Sequence, residues 1–102
     1  MREIGHWIDG KMVAGTSGRT ADVFNPATGE VQAKVALASK AELNAAIASA
    51  AKAQVAWGNT NPQRRARVMM ALVGLLNRDM DKLAEVLSSE HGKTFPDAKG
   101  DI

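Results

Sequence analysis

DVFNPATGEVQAKVALASKAEL, residues 22–43, decides how the chain is read. It holds two kinds of periodicity, separated by a turn and a cap. Val23-Phe24 is a short β-prone run. Asn25-Pro26 opens a turn and Gly29 closes it, because Asn bonds its own backbone, Pro presets φ and Gly accepts a positive φ. Val31, Ala33, Val35 and Leu37 then alternate with Gln32, Lys34 and Ala36, the two-residue period of a strand with one covered face. Val23-Phe24 and 31–37 are therefore expected to lie side by side as a hairpin-like pair. At Ser39 the period changes. Ser39 with Glu42 three residues on is a capping box, and a helix is expected from about Lys40 to Trp57, ending before Gly58.

Upstream, HWIDGKMV (6–13) places Asp9-Gly10 between two short runs that contain apolar residues. Asp-Gly supplies the positive φ angles of a type I′ turn, so a β-hairpin is expected there. Downstream the chain reads as helix. Asn61 and Pro62 open a second helix, with Pro62 at the first position, where its missing N–H costs nothing. Val68, Met69, Leu72, Val73 and Leu76 are its expected buried stripe. The chain restarts or bends near Asp79. A third helix carrying Leu83, Val86 and Leu87 is expected to stop at His91, before Gly92. TFPDAKGDI (94–102) then opens a fourth, with Thr94 as cap, Pro96 in the first turn and Asp97 reaching back. It reaches Ile102 with no stop signal, so the chain is expected to be incomplete there. The fold class expected is α+β: short β-hairpins followed by three to four α-helices. A chain of 102 residues is at most one small domain. No repeat and no linker divides it.

Hydrophobic residues make up 45% and charged residues 24%, a globular composition. No apolar run approaches the roughly 20 residues of a membrane span. MREIGHWIDGK lacks the apolar core of a secretory signal, so a cytoplasmic location with no membrane partner is expected. With no cysteine, disulfides, zinc-thiolate sites and a cysteine nucleophile are excluded within these residues. From Leu43 to Arg78 the chain has no acid but carries Lys52, Arg64, Arg65, Arg67 and Arg78. From Asp79 onward acids predominate. Such blocks suit two helices folded against each other, or a basic face that meets a partner.

Residues able to carry chemistry are few. His6 and His91 stand alone, without metal-ligand spacing, and are read as structural. Arg64, Arg65 and Arg67 could meet phosphate or nucleic acid. Without aromatic interleaving the expected role is pairing with Asp79, Asp81, Glu85 or Glu90. Gly92-Lys93-Thr94 resembles the end of a phosphate loop, but Leu87 stands where that loop needs its first Gly, so Gly92 is read as a helix stop. Asp9, Glu30 and Glu42 are explained by turns or a cap. Trp7, Trp57, Phe24 and Phe95 are read as core anchors. No catalytic, cofactor-binding or metal-ligating residue is assigned, and no nucleic-acid partner.

Taken in order, HWIDGKMV, TSGR (16–19), the 22–43 stretch, NPQRRARVMMAL (61–72) and LAEVLSSEHGKTFPDAKGDI (83–102) resemble the N-terminal part of the aldehyde dehydrogenase superfamily. The wording of TSGR, DVFNPATGEVQAKVALA, SSEHGKT and DAKGDI is most similar to its CoA-acylating methylmalonate-semialdehyde dehydrogenase branch. The resemblance covers essentially the whole chain. It implies that residues 1–102 are an N-terminal segment of a larger α/β aldehyde dehydrogenase fold, packing on the dinucleotide-binding domain. It implies a parent enzyme that uses NAD and CoA to convert a (methyl)malonate semialdehyde to propionyl-CoA or acetyl-CoA with loss of CO2, through a cysteine thiolate that no position here supplies. It further implies the rest of the same chain as partner, a homo-oligomer, and a segment that is inactive and binds no cofactor alone. A stand-alone helical interaction or oligomerisation module and a basic-helix nucleic-acid binder remain as alternatives.

Overall fold

The structure is a computed structural model that describes every residue from Met1 to Ile102. Five short strands precede four helices: β1 (Arg2–Ile4), β2 (His6–Ile8), β3 (Lys11–Val13), β4 (Thr20–Phe24), β5 (Val31–Ala36), α1 (Lys40–Asn59), α2 (Pro62–Arg78), α3 (Met80–His91) and α4 (Phe95–Asp101). The chain divides into two compact units. One comprises residues 1–23 and 31–59; the other comprises 24–30 and 60–102.

In the first unit, β2 and β3 pair antiparallel with Trp7 opposite Met12 and Ile8 opposite Lys11. Asp9 (φ 54°) and Gly10 (φ 73°) join them, both left-handed as a type I′ turn demands. β4 and β5 are neighbours in a second sheet, of order β1-β5-β4. Leu37 N donates to Arg19 O at 2.9 Å, and Asn25 N donates to Glu30 O at 2.8 Å. Partners that run in opposite order along the two segments make the pair antiparallel.

β1 was not among the expected strands. It lies parallel to β5, with Arg2 opposite Ala33 and Ile4 opposite Val35. Arg2-Glu3-Ile4 has no alternation to read, and a parallel partner is necessarily distant in sequence. As the middle strand, β5 buries Ala33 completely and half-buries Val31, Gln32, Val35 and Ala36. The strict alternation expected for it is thus blurred. Leu37, assigned to its covered face, lies past the strand's end and is exposed.

The capping box forms as expected. Glu42 N donates to Ser39 Oγ at 3.1 Å, and Ser39 N donates to Glu42 Oε2 at 2.8 Å. α1 does not stop before Gly58 but runs through it to Asn59. One glycine lowers helix propensity by only about 1 kcal/mol, too little to end a helix of this length. The break comes where Pro62 excludes the helical conformation from the residue before it.

The second unit begins with the 24–30 turn. Asn25 O accepts from Gly29 N at 2.8 Å, and its side-chain oxygen accepts from Ala27 N at 2.9 Å. Asn61 caps α2, accepting from Gln63 N at 2.8 Å, with Pro62 in the first turn. Asp79 ends α2 and leads α3, the restart that the sequence indicates. Gly92 (φ 87°) closes α3 in the left-handed conformation, and its N–H donates to Ser88 O at 2.8 Å. Thr94 precedes α4 with extended backbone but makes no side-chain cap bond, contrary to the reading of TFPDAKGDI. α3 and α4 pack together, and each buries one alanine, Ala84 and Ala98.

Fully buried hydrophobic residues are confined to Ala33, Ala84 and Ala98; no large side chain is fully enclosed. The stripe expected to be buried on α2 is open: Val68 is 53% exposed, Met69 53%, Leu72 43% and Val73 56%, with Leu76 half-buried. An amphipathic pattern declares that a face wants covering. It does not say that the covering atoms belong to the same 102 residues. No helix is long and apolar enough to cross a membrane.

Candidate functional site

The Glu42 carboxylate accepts three hydrogen bonds in the first unit. Besides closing the capping box, its Oε1 accepts from Thr16 N at 2.6 Å and Thr16 Oγ1 at 2.8 Å. The backbone N–H of Ser39, then those of Thr16 and its hydroxyl, hold the carboxyl down to about 2 from an ordinary 4.5. Two neighbours tie the same loop down. Ser17 Oγ bonds Leu37 O, and Arg19 Nη2 donates to Ala38 O at 3.0 Å. The start of α1 is thereby strapped to residues 16–19. The local reading of Glu42 as a cap was right but incomplete, because nothing near Thr16 in sequence announces its partner.

The sequence candidates are scattered. His6 stands on β2 in the first unit and its Nε2 is buried with no hydrogen-bond partner; His91 lies in the last turn of α3 in the second. No group of three or more His, Asp or Glu that could hold a metal is present. Asp9 sits in the β2–β3 turn, and the Glu30 carbonyl accepts from Asn25 N, both turn roles. Gly92 is the stop of α3, and Lys93 pairs with the Asp101 carboxylate. That bond raises the Lys93 ammonium above its ordinary value.

Two readings are corrected. The aromatic residues are not core anchors: Trp7 is 70% exposed, Phe24 52%, Trp57 42% and Phe95 37%. Phe95 carries Lys99 Nζ 5.1 Å above its ring, and the same ammonium lies 2.8 Å from Asp81. Nor do Arg64, Arg65 and Arg67 pair with the acids expected for them. Asp79 is taken by the adjacent Arg78 at 2.7 Å, which raises the Arg78 guanidinium and lowers the Asp79 carboxyl. Asp81 is taken by Lys99. The nearest cation in chain or space wins, and Arg78 is next door.

A cleft of about 340 Å³ lies in the first unit among Ile4, Gly5, Met12, Gly15, Lys34 and Ala36. Its glycines are fully used. A Cβ at Gly5 would stand 2.7 Å from Val13 O, and one at Gly15 would stand 2.9 Å from Ala36 Cβ. They permit close packing of the chain on itself, so they are not a cradle for phosphate. Lys34 is engaged by Asp22 at 2.8 Å. This cleft therefore offers a dinucleotide's phosphates neither an unpaired lysine nor an open glycine backbone. What the arrangement offers is surface: half-exposed apolar faces on α1 (Leu43, Ile47) and α2.

Comparison with known proteins gives one consistent result. Residues 12–102 match the aldehyde dehydrogenase family. A Caenorhabditis elegans protein assigned as a mitochondrial, acylating methylmalonate-semialdehyde/malonate-semialdehyde dehydrogenase is 47% identical over 94% of this chain and 18% of its own length. The malonate-semialdehyde dehydrogenase of Pseudomonas aeruginosa is 45% identical over 100% of this chain and 20% of its own. Among solved structures, a Sinorhizobium meliloti 1021 protein assigned as methylmalonate-semialdehyde dehydrogenase, crystallised with NAD, superposes with a TM-score of 0.97 at 68% identity; the match covers 100% of this chain and 21% of that one. The chain thus spans about a fifth of the length of the curated relatives that it matches.

Proposed function

The chain belongs to the aldehyde dehydrogenase family, and from that premise we propose that it serves as the N-terminal portion of an NAD-dependent, CoA-acylating (methyl)malonate-semialdehyde dehydrogenase. The observation that carries this reading is the similarity to the Sinorhizobium meliloti protein, with a TM-score of 0.97 at 68% identity over the whole chain. NAD is supported by that protein's bound cofactor, and an acyl acceptor such as CoA by the acylating relative. The complete protein oxidises the semialdehyde with NAD and delivers the acyl group to CoA with loss of CO2. NAD supplies the hydride acceptor. We assign no catalytic, cofactor-binding or metal-ligating role to these 102 positions, and derive no step through them.

The role left to the segment is scaffolding. Its open α1 and α2 faces fit packing on the dinucleotide-binding domain of the same polypeptide, within a homo-oligomer. The same open faces would equally serve a small free-standing interaction module, so the test must separate the two. The corresponding N-terminal fifth of the Pseudomonas aeruginosa enzyme is replaced by this chain, and NADH formation from malonate semialdehyde and CoA is followed by absorbance. A chimera that retains activity within about tenfold of its parent, roughly 1.4 kcal/mol in the barrier, supports the scaffold reading. A folded chimera without activity sinks it and leaves the module. The 102-residue chain alone is expected to form no NADH.

A further inference from the structure

The α2 arginines are the one charged cluster of the second unit that the fold does not explain. Arg64, Arg65 and Arg67 occupy the start of the helix, where the dipole disfavours cations. None of them has an ion pair, and Arg65 Nε is buried without any hydrogen-bond acceptor. The chain's own atoms enclose Nε and so hold the guanidinium in place, while its Nη groups are not enclosed and have no ion pair, and a guanidinium fixed in this way is normally met by a carboxylate. The acids within reach of other cations are committed: Asp79 to Arg78, Asp81 to Lys99 and Asp101 to Lys93. Beside the arginines run the open apolar side chains Val68, Leu72 and Leu75. Ser88 Oγ, on α3 of the same unit, is also buried and unpartnered.

We infer that the start of α2 is half of an ion-pair site, completed by an apolar segment that carries a carboxylate and belongs to the complete protein outside residues 1–102. Arg65 is its anchor, held by a planar, bidentate carboxylate pair, while Val68, Leu72 and Leu75 are covered by the flanking apolar residues. Charge selects this partner. The start of α2 has three arginines and no acid, so an acidic segment fits it and a second copy of the same face repels it. Arg65 is then a positioning residue that fixes α2, and the site is distinct from any catalytic group. The inference rests on the scaffold reading above, but its test does not depend on turnover.

In the complete protein, Arg65→Lys places an amine where the guanidinium stood. A carbodiimide then joins that amine to any carboxylate in contact with it, and peptide mapping by mass spectrometry locates the new amide. The expected product links Lys at 65 to an Asp or Glu outside residues 1–102. A link to an acid within residues 1–102, or none in folded protein, overturns the inference. In parallel, Arg65→Met should lower the melting temperature by several degrees while Arg67→Met, at a more exposed position, shifts it by no more than about 1 °C. Equal shifts would overturn it too. An inactive protein that still gives the expected link would refute the enzymatic reading alone.

Discussion

Replacing Gly92 by Ala tests two features of this residue at once. Its φ of 87° lies in the left-handed region, and an added Cβ would stand 2.9 Å from Pro26 Cγ. The first feature costs about 1 kcal/mol for a residue with a side chain, partly offset by the smaller entropy of the unfolded alanine chain. The second cannot be relieved by rotating a side chain, because the proline ring is closed; overpacking of this kind costs about 1–3 kcal/mol. Gly92→Ala should therefore destabilise by about 2–4 kcal/mol. Gly29 supplies the control. Its φ is 76°, and a Cβ there meets nothing within 4 Å, so Gly29→Ala should lose only the conformational part, about 1 kcal/mol or less. Pro26→Ala supplies the other. It removes Cγ and leaves Pro26 Cβ at 3.6 Å, an ordinary contact. Urea unfolding followed by circular dichroism on the four chains of the Gly92/Pro26 cycle gives the coupling, expected at about 1–3 kcal/mol and favourable in the double variant. If Gly92→Ala costs no more than Gly29→Ala, or if the two substitutions simply add, the packing of the 24–30 turn on the end of α3 is not what constrains this glycine.

Two further outcomes follow from the capping geometry. The Glu42 carboxyl is held at about 2 against an ordinary 4.5, so its ionised form favours the folded state; that contribution is full above 4.5 and is lost as pH falls through about 2. Glu42→Gln should melt below the parent chain at neutral pH, and the gap should close on titration toward pH 2; a gap that does not change with pH would refute the assignment. Asn61→Ala should cost about 1 kcal/mol, because Asn61 accepts from Gln63 N, while Thr94→Ala, at a cap without a side-chain bond, should cost less than about half of that; chemical denaturation of both variants decides.

The features legible in the sequence are those whose partners lie within four residues of each other. Ser39 with Glu42, Asp9 with Gly10, Asn61 with Pro62 and the stop at Gly92 each complete their bonding locally, so residue type and spacing are enough. Even there the reading overreached: α1 runs through the expected stop at Gly58. Thr94 has the right type and position for a cap, yet its hydroxyl caps nothing. The family was also legible, because NPATGE, the Arg-bearing helix and EHGKT survive as words.

Tertiary structure decided the rest. Whether β1 finds β5, and whether Glu42 also takes Thr16, depends on closing long stretches of chain, and no local pattern encodes that pairing. The fate of the α2 stripe shows the limit most clearly. Its periodicity states that Val68, Leu72 and Val73 favour a covered environment, yet they stand about half exposed, because periodicity describes a helix's preference and burial requires a second surface to be present.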